Sequence, residues 1–377
     1  MRLVFLFTNQ GSVPEGADAP WDPKVETKNF YAVNPTNGLP SEGYLYMLKA
    51  MLKEKIVDDL IIFIESNRWP GYYIYDPNIH CYVVPQVAHI IPFLQEGDVI
   101  FARGGFKSWF NFLTQMSEEK RWLLLYAANT GRERWKFWDI CFDDLSGKHR
   151  YDIRNRFFYD FKKPINAEVF KPLNIKKEFD VCIGASHVSD RKAQWKTVEV
   201  VVAYKELFGE ALKCVLPGRI THGVNSNKMS EKIKRAQIDV LQPGMVTRDK
   251  VCEYMNKSHI FVYLGQGGQN DRGPLESLQC GTPVMIASTR RHSPVVYGDS
   301  RYCTVAKDPE DFKGIAYQLK EQLDRYRHQS DIRDECHDYF GRVSGIDVIL
   351  SDMRRLFDLI RNNPVPNIEI LKKEYGV

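Results

Sequence analysis

The chain has 377 residues, 44% hydrophobic and 27% charged, which suits two packed domains and excludes disordered and fibrous classes. A formal net charge of +4 tilts mildly toward anionic ligands without requiring nucleic acid. The eight cysteines form no C-x-x-C pair and several sit in apolar runs (Cys182 in VCIG, Cys81 in HCYVV). We therefore expect buried reduced thiols in a cytoplasmic protein, and the nine scattered histidines spell out no zinc site.

Met1 to Phe7 (MRLVFLF) reads as the start of a strand and lacks the features of a signal peptide. No apolar run approaches the ~18 residues of a membrane span. The first strand, Leu3–Thr8, is followed by a long polar stretch that reaches Pro40. Loops of that length in compact domains are usually functional or mobile. Ser41–Ile56 is predicted helical, because Tyr44, Leu45, Leu48, Met51 and Leu52 recur at three and four, with Ser41 as N-cap. Strands follow at Leu60–Glu65, His80–Val84, Asp98–Arg103, Trp122–Ala127 and Ile140–Phe142, with a helix over Phe106–Met116. Lys148 to Pro164 is basic and aromatic, and we read it as an interdomain helix or hairpin whose aromatics are core.

The alternation then restarts. Strands are predicted at Phe179–Gly184, Ala211–Pro217, Ile238–Gln242, His259–Leu264 and Pro283–Ala287. Helices are predicted at Lys196–Phe208, Ser230–Ala236, Arg248–Lys257 and Pro274–Cys280, and later at Pro309–Tyr326 and Gly345–Asn362. Two runs of alternating strands and helices imply two doubly wound, Rossmann-like α/β domains, expected to face each other across a cleft. The expected boundaries are 1–164, 165–344, and a tail 345–377 that crosses back to the first domain.

The chemistry-bearing segment is Gly273 to Val284 (GPLESLQCGTPV). A strand feeds a loop rich in Gly, Gln and Asn, and a helix begins with Gly273 near its N-cap and Pro274 near its first position. Unpaired N–H groups at such a helix start attract an anion, with a diphosphate the natural occupant. Glu276 is expected in the first turn, where a carboxylate suits the helix dipole and can accept from a ribose diol.

Gly273-Pro274-Leu275-Glu276 followed by Cys280-Gly281-Thr282-Pro283-Val284 resembles the donor motif of retaining GT-B glycosyltransferases of the family 4 type. Three further pieces occur in the family's order. Pro164 to Pro172 (PINAEVFKP) resembles its interdomain motif. Cys182-Ile183-Gly184 resembles the strand before its donor-phosphate Arg/Lys pair, and Gln242 to Val246 (QPGMV) resembles its G-x-V loop beside the base. The resemblance implies a GT-B fold and a transferase moving a hexosyl or pentosyl group from a nucleotide-diphosphate sugar, UDP or GDP, to a glycan or other hydroxyl acceptor. It implies retention, no metal and no cofactor. Glu276 would hold the ribose, and Arg191 with Lys196, or Lys192 as their rival, would meet the phosphates. Gly11, Gly244, Val246, Gln269, Asp271, Arg272, Gly273, Pro274 and Leu275 would line the donor.

One departure concerns the sugar. The family's first glutamate falls eight positions before Glu276, on Gly268, and Gln266, Gln269, Asn270 and Asp271 are the residues available to replace it. In the first domain Arg103, Gly104 and Asn129 end strands and are candidates for the acceptor. Three other readings stay open: a glycosyltransferase acting on a nucleic-acid base, motivated by the basic and aromatic stretch; a nucleotide-sugar-binding protein without catalysis, motivated by Gly268; and an epimerase of the same fold.

Overall fold

The computed structural model describes residues 1–8, 43–65, 71–76, 79–84, 87–103, 121–126, 138–143, 157–184, 186–188, 192–220, 224–265, 272–287 and 294–376. The chain forms two compact units, one built from Met1–Phe161 and Ile349–Val377, the other from Lys162–Val348.

In the first unit the strands are β1 (Arg2–Thr8), β2 (Asp59–Glu65), β3 (Gly71–Asp76), β4 (Ile79–Val84), β5 (Val99–Arg103), β6 (Trp122–Tyr126), β7 (Ile140–Asp143) and β8 (Phe157–Asp160). They form one sheet in the order β3-β4-β2-β1-β5-β6-β7-β8. Every pairing is parallel except that of β3 with β4. The order reverses between β1 and β5, which is the topological switch point of a doubly wound sheet. Helix α1 (Gly43–Lys53) buries Tyr44, Leu45, Leu48 and Met51 of the predicted face and adds Met47, while Leu52 is only half-buried. Phe5 packs edge-on against Phe101, their ring centroids 5.6 Å apart.

Two sequence expectations change here. The antiparallel edge strand β3 was not predicted. The end of the basic and aromatic stretch is neither helix nor hairpin. It is strand β8, parallel to β7, because Phe157, Tyr159 and Phe161 alternate into the core at 2%, 5% and 2% exposure. These rings are committed to packing and cannot stack on bases, which leaves the nucleic-acid reading without support. The predicted helix Phe106–Met116 lies outside the described residues.

In the second unit the chain runs β9 (Phe179–Ile183), β10 (Ser186–Val188), α2 (Gln194–Phe208), β11 (Lys213–Ile220), α3 (Val224–Ala236), β12 (Asp239–Gly244), α4 (Arg248–Asn256), β13 (Ser258–Tyr263), α5 (Arg272–Gln279), β14 (Val284–Ala287), α6 (Pro294–Tyr297), β15 (Cys303–Ala306), α7 (Phe312–His328) and α8 (Ile332–Ser344). The strand order is β12-β11-β9-β13-β14-β15, and β10 pairs with the far end of β11. All pairings are parallel. Sheets covered on both faces need continuous apolar strands rather than alternating ones. Val181, Cys182 and Ile183, then Ile260, Phe261 and Val262, then Val284 and Met285, are all fully buried. This order again places a switch point, between β9 and β13. The short elements β10, α6 and β15 and helix α8 were not predicted.

The chain returns to the first unit with α9 (Ile346–Asn362) and α10 (Ile368–Tyr375). Arg361 donates to the Ile56 carbonyl at 2.9 Å, and the Trp122 indole donates to the Asn363 carbonyl at 2.7 Å. Tyr375 packs its ring against Phe157, centroids 5.2 Å apart. Among the described residues, no helix is long and apolar enough to cross a membrane.

Candidate functional site

In an open α/β sheet, ligands bind at the carboxyl ends of the strands that flank the switch point. In the second unit those ends are Gly184, after β9, and Tyr263 to Gly265, after β13. The Gly184 amide donates to the Val262 carbonyl at 3.2 Å, so the two strand ends are tied together. A Cβ on Gly184 would lie 3.1 Å from the Tyr263 ring. Gly265 is tighter still, since a Cβ there would meet the Lys192 carbonyl oxygen at 2.5 Å. The segment entering α2 therefore crosses directly over the end of β13, and only glycine permits that approach.

Lys192 stands at this crossing, its ammonium 5.6 Å from the centre of the Tyr263 ring. Ala193 follows in the left-handed region, with φ 51° and ψ 37°, and serves as N-cap of α2 without a side-chain cap bond. A non-glycine residue in that conformation carries about 1 kcal/mol of strain or more. Such strain concentrates at functional turns. Lys196 has a different environment. It is 4% exposed, and its ammonium is ion-paired with Glu310.

Helix α5 corrects part of the sequence reading. It begins at Arg272, two residues before the predicted start, so Gly273 is its second residue and Pro274 its third. Proline is still tolerated, because the first four N–H groups of a helix have no intrahelical partner. A Cβ on Gly273 would lie 3.0 Å from Phe261, so the helix start sits close on β13. Leu275 is fully buried in the hydrophobic core, so its side chain packs rather than lining a ligand.

Glu276 is consequently the fifth residue of the helix, outside its first turn. The dipole favours charge only within about the first turn, so it does not account for this carboxylate. A cation does. Glu276 is 2% exposed, and its Oε1 accepts a hydrogen bond from Arg248 Nη2. Arg248 in turn lies over the Phe170 ring, 4.9 Å from its centroid. Phe170 is held by a turn in which its amide donates to the Asn166 carbonyl at 2.9 Å and Asn166 Oδ1 accepts from the Glu168 amide at 2.9 Å. Arg248 is the first residue of α4, and Thr247 caps that helix. The loop before it contains Gly244, with φ 73°, half-buried Val246 and Met245 at 50% exposure.

The second half of the motif is architectural. Ser277 Oγ donates to the Thr282 carbonyl at 2.9 Å, and Thr282 Oγ1 donates to the Met255 carbonyl at 2.8 Å. Gly281 has φ 74° and its Cα faces Arg333, whose carbonyl oxygen would lie 2.3 Å from an added Cβ. The Cys252 and Cys280 sulfurs are 3.6 Å apart. These contacts seat the end of α5 against α4 and α8, and they hold Glu276 at its depth.

The structure thus brings Lys192, Gly265, the start of α5, Glu276 and Arg248 to one end of the second sheet. Arg248 was missed in the sequence, where it marked only a helix start. Arg191, Gln269 and Asp271, with Gly268, lie outside the described residues, as do Gly11, Gly104 and Asn129. In the first unit Arg103 ends β5, with its guanidinium 4.8 Å from the centre of the Tyr44 ring.

No protein-family model and no curated protein matches the sequence. Solved structures do resemble the fold over nearly the whole chain. The sucrose-phosphate synthase of Thermosynechococcus elongatus is 12% identical with a TM-score of 0.60, covering 96% of this chain and 100% of that one. Anabaena HepE in complex with UDP and glucose is 10% identical with a TM-score of 0.64, covering 95% and 99%. A glycosyltransferase from Rickettsia africae is 11% identical with a TM-score of 0.62, covering 96% and 99%. At such identities the likeness is one of architecture, and the architecture is GT-B.

Proposed function

We propose that the chain is a glycosyltransferase whose second unit binds a nucleotide-diphosphate sugar, UDP-linked in the first instance and GDP-linked as the alternative. The observation that carries this reading is the buried Glu276 carboxylate, held by Arg248 one turn into a helix that starts at the switch point. A carboxylate held by a guanidinium in that position is a strong acceptor for a ribose diol. The first amides of α5, which have no partner within the helix, point at the position a diphosphate would take in this reading. HepE, of the same fold, was solved with UDP and with UDP-glucose.

The chemistry follows from charge. Breaking the bond between sugar and phosphate leaves negative charge on the diphosphate, and preorganised cations and amides aimed at it lower the barrier. Lys192 is the favoured cation, because it stands over the end of β13 at the switch point. Arg191, next to Lys192 in sequence, is the second candidate. This reading needs neither metal nor cofactor, and the departing phosphate accepts the acceptor's proton as the sugar transfers with retention. Arg272, Gly273, Pro274, Gly244 and Val246 line the nucleotide, with Gln269 and Asp271 toward the sugar. The first unit supplies the site for a glycan or glycoconjugate acceptor, with Arg103 at the end of β5, Gly104 and Asn129. We place the enzyme in the cytoplasm.

The test is thermal stabilisation by UDP-, GDP- and ADP-sugars, followed by product analysis with and without acceptor and EDTA. The expected outcome is stabilisation by one nucleotide series and transfer that survives EDTA. No stabilisation at millimolar nucleotide overturns the reading. Binding without turnover would make the chain a nucleotide-sugar-binding protein, a role that Gly268 in place of the family's first glutamate would suit.

A further inference from the structure

We infer that Arg248 is a positioning residue that makes the nucleotide site selective for an intact ribose; the inference rests on the donor-site reading above. Glu276 is 2% exposed, and burying a carboxylate without a hydrogen-bonded partner is costly. Arg248 removes that cost. Its guanidinium presents a planar fork, and its Nη2 donates to Glu276 Oε1. An ionised carboxylate accepts at about four lone-pair positions across two oxygens. With Oε1 held, the orientation of Oε2 is fixed as well, and Oε2 is the atom available to a ribose diol.

The guanidinium is itself constrained from two sides. It stacks over the fully packed Phe170 ring at 4.9 Å, and its backbone is fixed at the capped start of α4. Arg248 also comes four positions after Gly244, at the end of the loop proposed to flank the base. The residue that braces the ribose carboxylate therefore belongs to the same short segment as the base contacts. A site built to hydrogen-bond a hydroxyl rejects an analogue that lacks it, because the buried acceptor is left unpaired.

The experiment measures affinities of UDP, 2′-deoxy-UDP and 3′-deoxy-UDP for the full chain and for Arg248→Met and Arg248→Lys, with GDP and its deoxy analogues in parallel. Hydrogen bonds to charged groups contribute enough for the wild type to prefer the intact ribose by roughly 10- to 100-fold over at least one analogue. In Arg248→Met that preference collapses toward one, with the loss confined to the intact nucleotide. Arg248→Lys restores part of it. A merely structural role would weaken all three nucleotides equally and leave the ratio unchanged, and that result overturns the inference. If Arg248→Met fails to fold, Arg248→Lys decides: a ratio equal to the wild type's overturns it. Failure of the wider reading looks different, because the wild type then binds no nucleotide at all. A wild type that binds UDP without discriminating ribose keeps the nucleotide site and removes the role of the pair.

Discussion

The alpha carbon of Gly265 lies directly beneath the carbonyl of Lys192, so close that a methyl group would stand 2.5 Å from that oxygen. Backbone atoms cannot absorb such an overlap by rotating a side chain. Gly265→Ala must therefore move the Lys192 turn or the end of β13. We predict that nucleotide affinity falls at least about 10-fold, with a loss of roughly 1–3 kcal/mol in stability, the usual scale for overpacking. The control is Gly341→Ala in α8, where an added Cβ meets nothing within 4 Å. Alanine is favoured over glycine inside a helix by about 0.5–1 kcal/mol, so that variant should be slightly more stable and bind nucleotide as the wild type does. Titration calorimetry and melting curves check both. Unchanged affinity in Gly265→Ala would show that the crossing does not shape the site.

Ala193, one residue on, adopts φ 51° and ψ 37°. Glycine reaches that region without the Cβ penalty, although it gives the unfolded chain more freedom. The two effects differ in size, and we expect Ala193→Gly to be neutral or more stable by up to about 1 kcal/mol. A β-branched residue suffers most there, so Ala193→Val should lose about 2 kcal/mol. Denaturant midpoints of the pair measure this. Equal midpoints for Gly and Val would mean that the turn is not left-handed in solution.

How much of this was legible in the sequence follows from what each element needs. The β9, β13 and β14 strands are continuous apolar runs because both faces of the sheet are covered, and the sequence spells that out. The edge strand β3 was missed because Gly71 to Asp76 is short and shows no clear two-residue alternation. The extent of α5 was misjudged because Gly273 and Pro274 look like stop and start signals, yet both fit within a first turn whose amides need no intrahelical partner. Glu276 was found from its motif. Arg248 was not, because the contact joins residues 28 positions apart on successive helices, and nothing in either local pattern encodes it. The distinction between Lys192 and Lys196 likewise depends on where Glu310 falls in space.

That distinction gives a comparison of two lysines four residues apart. The Lys192 ammonium stands near the Tyr263 ring at the switch point, and the Lys196 ammonium is paired with Glu310. Removing a cation that faces developing phosphate charge typically costs 10²–10³ in turnover, about 2.7–4 kcal/mol. We therefore expect Lys192→Ala to lose turnover on that scale with little change in melting temperature. Lys196→Ala should keep most of its activity. Glu310 is 60% exposed and can be solvated by water once its partner is gone, so the stability cost should stay near 1 kcal/mol. Steady-state kinetics beside melting curves separate the two, and the reverse ranking would assign the phosphate contact to Lys196.

The last expectation concerns pH. His259, on β13, is held near pKa 4, chiefly by burial and then by the charges of Lys177 and Arg327, with Asp180 and the Tyr326 backbone opposing. The unfolded imidazole titrates near 6.5. Between pH 4 and 6.5 the unfolded chain therefore binds a proton that the folded chain does not, and stability must rise with pH across that window. The slope from one such group reaches about 1.4 kcal/mol per pH unit. Lys177, which donates to the Ser258 carbonyl at 2.6 Å, is lowered by burial to about 7 and acts with the same sign between pH 7 and 10.5. Its penalty is fully present below pH 7. Denaturant unfolding from pH 4 to 10 should thus show that His259→Leu flattens the lower limb while leaving the slope above pH 7 intact, and that Lys177→Met flattens the upper limb and, by removing a charge that lowers the imidazole, also makes the lower limb shallower. If the stability difference between wild type and His259→Leu is constant from pH 4 to 6.5, the imidazole is protonated in the folded chain and the assignment to His259 fails.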